Sequence, residues 1–376
     1  MGGALRLDRS QVLAFRARAH GLTGDRGAER VLDLGVQDTG PSGARWSLAL
    51  RGADPGPDLD PAALALVWAA RGAPLVVRRA DLAGVAAAMA PYSEADAAKR
   101  VFDAARPLRA AGVPVIEALA VLAGHVRDIV TGPTTKGELS TELTRRLPAP
   151  YLRECRPCAA VHVFEQPFRL AALPAGLEIE PGTSPPVLRP VPRWSGPSTV
   201  VPPRLDALGA QLAVNGPLSV AQLAGHLDAA QADVRRRVAE LVAGGDAVEV
   251  VVDGDPGRGP RYLLAADVAA AQVAPAPRGL HLLDPFDPLL QTRDRELVVP
   301  DEAQRKDLWR TLGRPGAVWR DGEVVGTWRP RSSGRRLRLV LQSWRGADLT
   351  TDPAVRAGAE RLAGARGQEL AELLPA

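Results

Sequence analysis

Apolar positions fall into short blocks of helical period over the first part of the chain. Ser10 is placed to cap a helix running to Ala19, AERVLDLGV ends near Gly35, and ARWSLALRG follows a short turn. Asp60 and Pro61 predict a fourth helix over PAALALVWAARG, in cap-then-proline order. The run from Leu75 to Arg79 has strand character, and ADLAGVAAAM is helical again. Helices with one short strand are compatible with a helix-turn-helix core, so residues 1–90 are expected to form one module.

Residues 91–180 are expected to form a second module. SEADAAKRVFDAARPLRAAG is capped by Ser93 and sets Val101 and Leu108 on one face, and VIEALAVLAGHVRDIV is helical. TKGELSTELTRRL opens with Thr135 three residues before Glu138, a capping-box pattern. From Pro150 the chain is expected to run extended through AVHVFEQPFRLAAL. Helix, helix, short helix and strands is winged-helix order. The stretch 181–203 holds eight of the 34 prolines and is predicted to be an extended connector.

The pattern is clearest over residues 204–272. LDALGAQLAVNG ends at Asn215-Gly216. Ser219 can cap a helix with Val220, Leu223 and Leu227 on one face, and AAQADVRRRVAELVAGG places Val234, Val238 and Leu241 at helical spacing. VEVVVDG, a Gly/Pro turn and RYLL then predict a β-hairpin. Helix, turn, helix, hairpin is the winged helix-turn-helix plan, in which the second helix enters the major groove. Arg235, Arg236 and Arg237 sit on that helix, either as a DNA-contacting face or as a solvated face on a protein-binding module. From Gly279 to residue 376, short β-type runs (ELVV, AVWR, EVVGTW, RLRLVLQSW) suggest a small antiparallel sheet or barrel. Arg329, Arg331, Arg335, Arg336 and Arg338 surround the turn Ser332-Ser333-Gly334, and Asp352-Pro353 opens a last helix expected to reach the C-terminus.

Composition sharpens this picture in one respect. Only three of the 47 basic residues are lysine, while the net charge is just +4. Arginine grips phosphate oxygens bidentately, and a GC-rich genome would give the same bias. No apolar run approaches bilayer length, and the first residues carry no secretory h-region. Two cysteines give no disulfide framework, and the expectation is a cytoplasmic chain.

Three constellations carry candidate chemistry. Gln37-Asp38-Thr39 lies on the turn between the second and third helices, where Asp38, Thr39 or Ser42 could simply cap the next helix. Cys155, Cys158, His162 and Glu165 are donors of the type zinc takes. Their spacing is not that of a zinc finger, and on a strand His162 and Glu165 face opposite sides. Buried thiols and a hydrogen-bonded histidine are therefore expected, with no metal. Asp284 and Asp287 in DPFDP read as turn residues that bond their own backbone. The phosphate-loop, dinucleotide and zinc-hydrolase motifs are absent, so no nucleotide cofactor is expected.

With the modules laid out, the chain resembles the tandem winged-helix DNA glycosylases of the AlkZ/YcaQ type. The resemblance spans nearly the whole chain and is carried by GVQDTGPSGARWSLALRG, WAARGAPLV, KGELS, the CRPC–H–E segment and LLDPFDPLLQTRDR. It implies an α+β fold, mainly helical, of three tandem winged-helix modules and a small β-barrel-like C-terminal domain. It also implies a monomer without cofactor that binds double-stranded DNA and excises alkylated or crosslinked purines as a monofunctional glycosylase. Gln37 matches the first position of the family's active-site triplet. Asp38 stands where an apolar residue is expected, and Thr39 where a second Gln or an Asp is expected. Arg71-Gly72-Ala73-Pro74-Leu75 replaces a stretch that carries a histidine in relatives. A non-catalytic winged-helix DNA-binding protein or transcriptional regulator is the alternative reading.

Overall fold

A computed structural model of the chain describes residues 5–25, 27–41, 43–56, 59–157, 159–255 and 259–376. The fold mixes α and β elements and divides into two compact units. The first gathers Met1–Pro57, Ala210–Gln222 and Val238–Ala376, and the second gathers Asp58–Gly209 and Leu223–Arg237.

Two sheets organise the first unit. In one, Leu280–Leu283, Gly316–Arg320, Glu323–Ser333, Arg336–Ser343 and Glu369–Pro375 lie side by side in chain order, antiparallel except for the last, parallel pair. Strand alternation sends Leu337, Leu339 and Leu341 inward, where they meet Trp328, Trp46 and the Val355, Ala359 and Leu362 stripe of the helix Pro353–Ala365. In the other sheet, Leu5–Leu7 runs parallel to Ala247–Val252, which pairs antiparallel with Arg261–Leu264. The helix Arg9–Ala19 buries Val12, Leu13 and Phe15 against Val250 and Leu263. Asp8 caps that helix in a capping box with Gln11, and Ser10 only donates to the Asp8 carboxylate.

Buried charge ties these layers together. Asp294 accepts from Arg16 at 2.7 Å and from Arg261 at 2.7 Å, with all three side chains nearly excluded from solvent. Arg51 forks onto Asp287 through two bonds of 2.9 Å and also donates to the His20 carbonyl at 2.6 Å. Burial by itself would raise both carboxyls. The guanidinium groups override it and hold both below the usual range. His20 is driven down to about 3 by burial and by Arg51, so it stays neutral, with Nε2 3.1 Å from the Asn215 amide oxygen.

In the second unit the strands follow the order Pro74–Arg78, Leu64–Trp68, Leu177–Ile179, Val187–Pro190 and Thr134–Thr135, all pairs antiparallel. The helices Val115–Ile129, Lys136–Arg146 and Glu165–Ala172 bury Leu122, Leu139, Leu143 and Phe168, and the Phe168 ring lies 5.6 Å from that of Trp68. Ser93 and Thr135 are the caps read from the sequence, the second with Glu138 in a reciprocal box.

Local differences from the sequence reading have physical reasons. Leu64–Trp68 is a strand, not a helix. Its unbroken apolar run is blind to period, and neighbours on both sides bury it. Glu165–Ala172 is helical where extended chain was expected, because Pro167, Phe168, Ala171 and Ala172 form one buried face and Pro167 falls in the first turn. Part of the proline-rich stretch, Val187–Pro190, pairs as a strand. ELVV contributes to a helical turn, Arg295–Val298, begun from the pinned Asp294. Leu280–Leu283 is a strand that the pattern did not single out. The last helix stops at Ala365, and the chain ends in the strand Glu369–Pro375. Among the described residues no single helix is long and apolar enough to cross a membrane.

The buried pairs predict how stability responds to change. Asp294→Ala strands two buried guanidinium groups and is expected to lower unfolding free energy by about 3–5 kcal/mol in urea denaturation. His20 has a folded pKa below its unfolded value of 6.5, so its contribution is complete above pH 6.5 and is lost as pH falls toward about 3. The depressed Asp287 and Asp294 add losses only below their unfolded value of 3.8. Thermal stability should therefore decline as pH falls below about 6.5. His20→Gln, which can still donate to Asn215, should make the decline shallower and leave the share from His281, which burial also holds below 6.5.

Candidate functional site

The polar triplet sits on a tight connection in the first unit. The helix Glu29–Leu34 stops at Gly35, Val36–Gln37 is extended, and the helix Gly43–Ala49 follows. Gln37 donates its side-chain amide to the Thr39 hydroxyl at 3.1 Å. Asp38 turns the other way, and one carboxylate oxygen accepts the Ala44 backbone N–H at 3.0 Å. This is the capping role weighed from the sequence, taken by Asp38. Ser42 lies outside the described residues. Burial pushes the Asp38 carboxyl up, and the Ala44 N–H only partly opposes it.

Gly43 makes this turn possible. Its φ is +31°, and a Cβ there would stand 2.1 Å from the Asp38 carboxylate oxygen. The helix it opens is anchored beyond the site. Trp46 donates its indole N–H to the Leu282 carbonyl at 2.6 Å, and Arg51, just past its end, holds Asp287. The DPFDP turn is thereby accounted for: Asp284 accepts from Phe286 N–H at 3.1 Å, and Asp287 accepts from Leu289 N–H at 3.0 Å besides pairing with Arg51.

The Arg-rich hairpin forms one basic face. Arg331 lies directly opposite Arg338, and Ser333 opposite Arg336, while the alternate residues Leu337 and Leu339 are buried. Like charges directly opposed on a sheet repel, and a bound phosphate relieves that repulsion. Arg335 at the tip is 83% exposed, and the carboxylates of Glu369 and Glu372 stand 3.9 Å from Arg335 and Arg338. Arg329, at the base, pairs with Asp307 at 2.9 Å.

On the helix Gln231–Ala243 the three arginines are used differently. Arg235 is exposed, Arg236 pairs with Asp233 at 2.9 Å, and Arg237 pairs with Asp206 at 3.2 Å and lies over the Tyr92 ring. In the second unit, Arg71 of the RGAPL stretch has φ 59° and donates to the His226 carbonyl.

The remaining constellation is occupied by protein partners. Cys155 is buried on Leu152–Cys155, and His162 sits on the paired strand Ala160–Val163 with Nδ1 2.8 Å from the Val163 carbonyl. Glu165 is held by Lys136 at 2.7 Å and Arg169 at 2.6 Å. Cys158 lies outside the described residues. Among the described residues no cluster of three or more His, Cys, Asp or Glu is arranged to hold a metal ion.

Sequence reasoning passed over Gly43, Trp46 and Arg51, which set the turn; a glycine closing GPSG before a helix is the one local signal for the first. The clash at Gly43 yields a test. Gly43→Ala should lower the melting temperature both through its positive φ and by displacing Asp38. Asp38→Ala alone should cost about 1 kcal/mol as a lost cap. In the double variant the two effects should sum to less than the separate losses, measured by thermal unfolding. Full additivity would mean that the Asp38 carboxylate does not occupy this position.

Comparison with known proteins bears on what this turn serves. Among solved structures, the DNA glycosylase AlkZ of Streptomyces sahachiroi matches with a TM-score of 0.72 over 99% of this chain and 100% of its own, at 20% sequence identity, a likeness of fold. No curated protein matches the sequence. The family model described as DNA glycosylase AlkZ-like matches residues 31–365, which include the Gln37–Thr39 turn, the DPFDP segment and the basic hairpin. The chain belongs to the AlkZ-like DNA glycosylase family.

Proposed function

We propose that this chain is a monofunctional DNA glycosylase of base excision repair, acting on alkylated or crosslinked purines in double-stranded DNA. Gln37, Asp38 and Thr39 form its reaction centre. The observation that carries the reading is the Gln37–Thr39 pair beside a partly buried Asp38 carboxyl, in a chain of this family. We read the helix and strand orders of residues 1–90, 91–180 and 204–272 as winged-helix modules, with 181–203 as connector and 279–376 as a barrel-like domain. The protein works as a monomer on these terms, with water as its only co-reactant.

Breaking an N-glycosidic bond builds positive charge on the sugar. An N7-alkylated purine is already a cation and departs as a neutral base with the electron pair of the broken bond, so it needs little acid assistance. A water bound at the Gln37–Thr39 pair attacks the anomeric carbon, and its proton passes to the Asp38 carboxylate once that side chain rotates from the Ala44 N–H toward the pair. That carboxylate also faces the developing sugar charge, which is where electrostatic stabilisation acts. A carboxyl raised by burial is a better proton acceptor near working pH than an exposed one. Arg331, Arg335, Arg336 and Arg338 hold the backbone, together with Arg329 and Arg235 to Arg237.

One observation favours the second reading, a non-catalytic DNA-binding protein or regulator: Asp38 already serves as a helix cap. The two readings separate on Asp38→Asn, whose side-chain oxygen preserves the cap and removes the charge. On duplex carrying N7-alkylated guanine, base release by wild type should rise with pH through the raised Asp38 pKa and then level. Asp38→Asn should be slower by roughly 10²–10³-fold and lose that limb. Gln37→Ala and Thr39→Ala should each slow release with the limb retained. Equal binding of damaged and undamaged duplex, with no release by any variant, would establish the non-catalytic reading.

A further inference from the structure

A cavity of about 670 Å³ in the first unit opens beside Arg293-Asp294-Arg295 and is walled by Arg293, Arg295, Arg305, Lys306 and Trp309. Its acids are mostly committed. Asp294 is taken by Arg16 and Arg261, Asp255 pairs with Arg261, and Glu302 pairs with Lys306 at 2.7 Å. Arg305 donates to the carbonyls of Val299 and Pro300. Glu296, exposed on the wall, is the remaining carboxylate.

Arg293 and Arg295 differ from these. Among the described residues no carboxylate lies within ion-pair distance of either. Arg295 is half-buried with its guanidinium 5.2 Å from the Trp309 ring centroid, and its Nε is buried without an acceptor. The charge that acts on it most is Arg293, which adds to burial in disfavouring the cationic form. Two neighbouring arginines on one cavity wall, with no carboxylate at ion-pair distance among the described residues, are stabilised by an anion. A planar fork already fixed against an aromatic ring loses little freedom on gripping phosphate.

We propose that this cavity seats a phosphodiester of duplex DNA, with Arg295 as the fixed donor and Arg293 as the second. The inference rests on the reading of the chain as a DNA glycosylase and adds a phosphate site separate from the hairpin.

The test is a salt titration of binding to undamaged duplex by fluorescence anisotropy. The proteins compared are wild type, Arg293→Gln, the double variant R293Q/R295Q and the hairpin variant R331A/R335A/R336A. The double variant should bind more weakly and reduce the slope of log affinity against log salt by about 0.9 for each phosphate no longer neutralised. Arg293→Gln, at an exposed position, leaves the Arg295–Trp309 stack in place and should show a smaller loss in the same direction. Wild-type affinity and slope in both variants, with weakening confined to the hairpin variant, would overturn the phosphate seat and leave the glycosylase reading standing. Absence of salt-sensitive binding in wild type would overturn both. A second arm titrates inorganic phosphate: if R293Q/R295Q abolishes its binding but leaves DNA binding unchanged, the pocket serves a free anion and the assignment fails.

Discussion

The first unit depends on one buried carboxylate, Asp294, shared by two arginines from distant parts of the chain. Arg16 comes from the N-terminal helix and Arg261 from the hairpin strand, and the Arg16 side chain also reaches the carbonyls of Gly216 and Pro217. Asp294 additionally accepts from Gln222 at 2.9 Å. An ion cluster this buried contributes little net stability over an apolar replacement, but removing one partner leaves uncompensated charge. It therefore acts as a register device: the helix, the hairpin and the 292–298 segment are locked to each other or none is in place. The Arg51–Asp287 pair does the same for the helix that follows the Gln37–Thr39 turn.

This locking bears directly on chemistry. The proposed chemistry relies on one water and a few polar groups placed to a fraction of an ångström, and a turn alone does not supply that rigidity. Here the turn is closed by Asp38 under the first helical turn, Gly43 leaves room for the carboxylate, Trp46 fastens the helix to the strand Leu280–Leu283, and Arg51 fastens it to Asp287 of DPFDP. Of the conspicuous DPFDP carboxylates, Asp287 is thus used in fastening the helix that follows the turn, and Asp284 bonds the backbone of its own segment. The proposed chemistry falls to the less conspicuous triplet.

Much of the local structure was legible from the chain. Caps at Ser93 and Thr135 and the helix and hairpin order from Ala207 to Leu264 follow from side-chain oxygens, glycine stops and apolar period. What was not legible depends on neighbours. Leu64–Trp68 is strand because Pro74–Arg78 and Leu177–Ile179 flank it, and no spacing within the run encodes that. Glu369–Pro375 is strand because Arg336–Ser343 offers a free edge. The polar triplet was visible as residues, but the opposite turns taken by Asp38 and by the Gln37–Thr39 pair were not. Likewise the sequence shows Arg293 and Arg295 as ordinary charges beside an aspartate. Only the burial of Asp294 against Arg16 and Arg261 reveals that the intervening aspartate is taken by other partners.

The measurement that bears most directly on this account is single-turnover base release by the wild-type protein on a duplex with one N7-alkylated guanine, beside an unmodified duplex of the same sequence. The account predicts free modified base and an abasic site in an intact strand, with no release from the unmodified duplex. Salt-sensitive binding of the modified duplex with no base released from simple, bulky or crosslinked N7 adducts would contradict it.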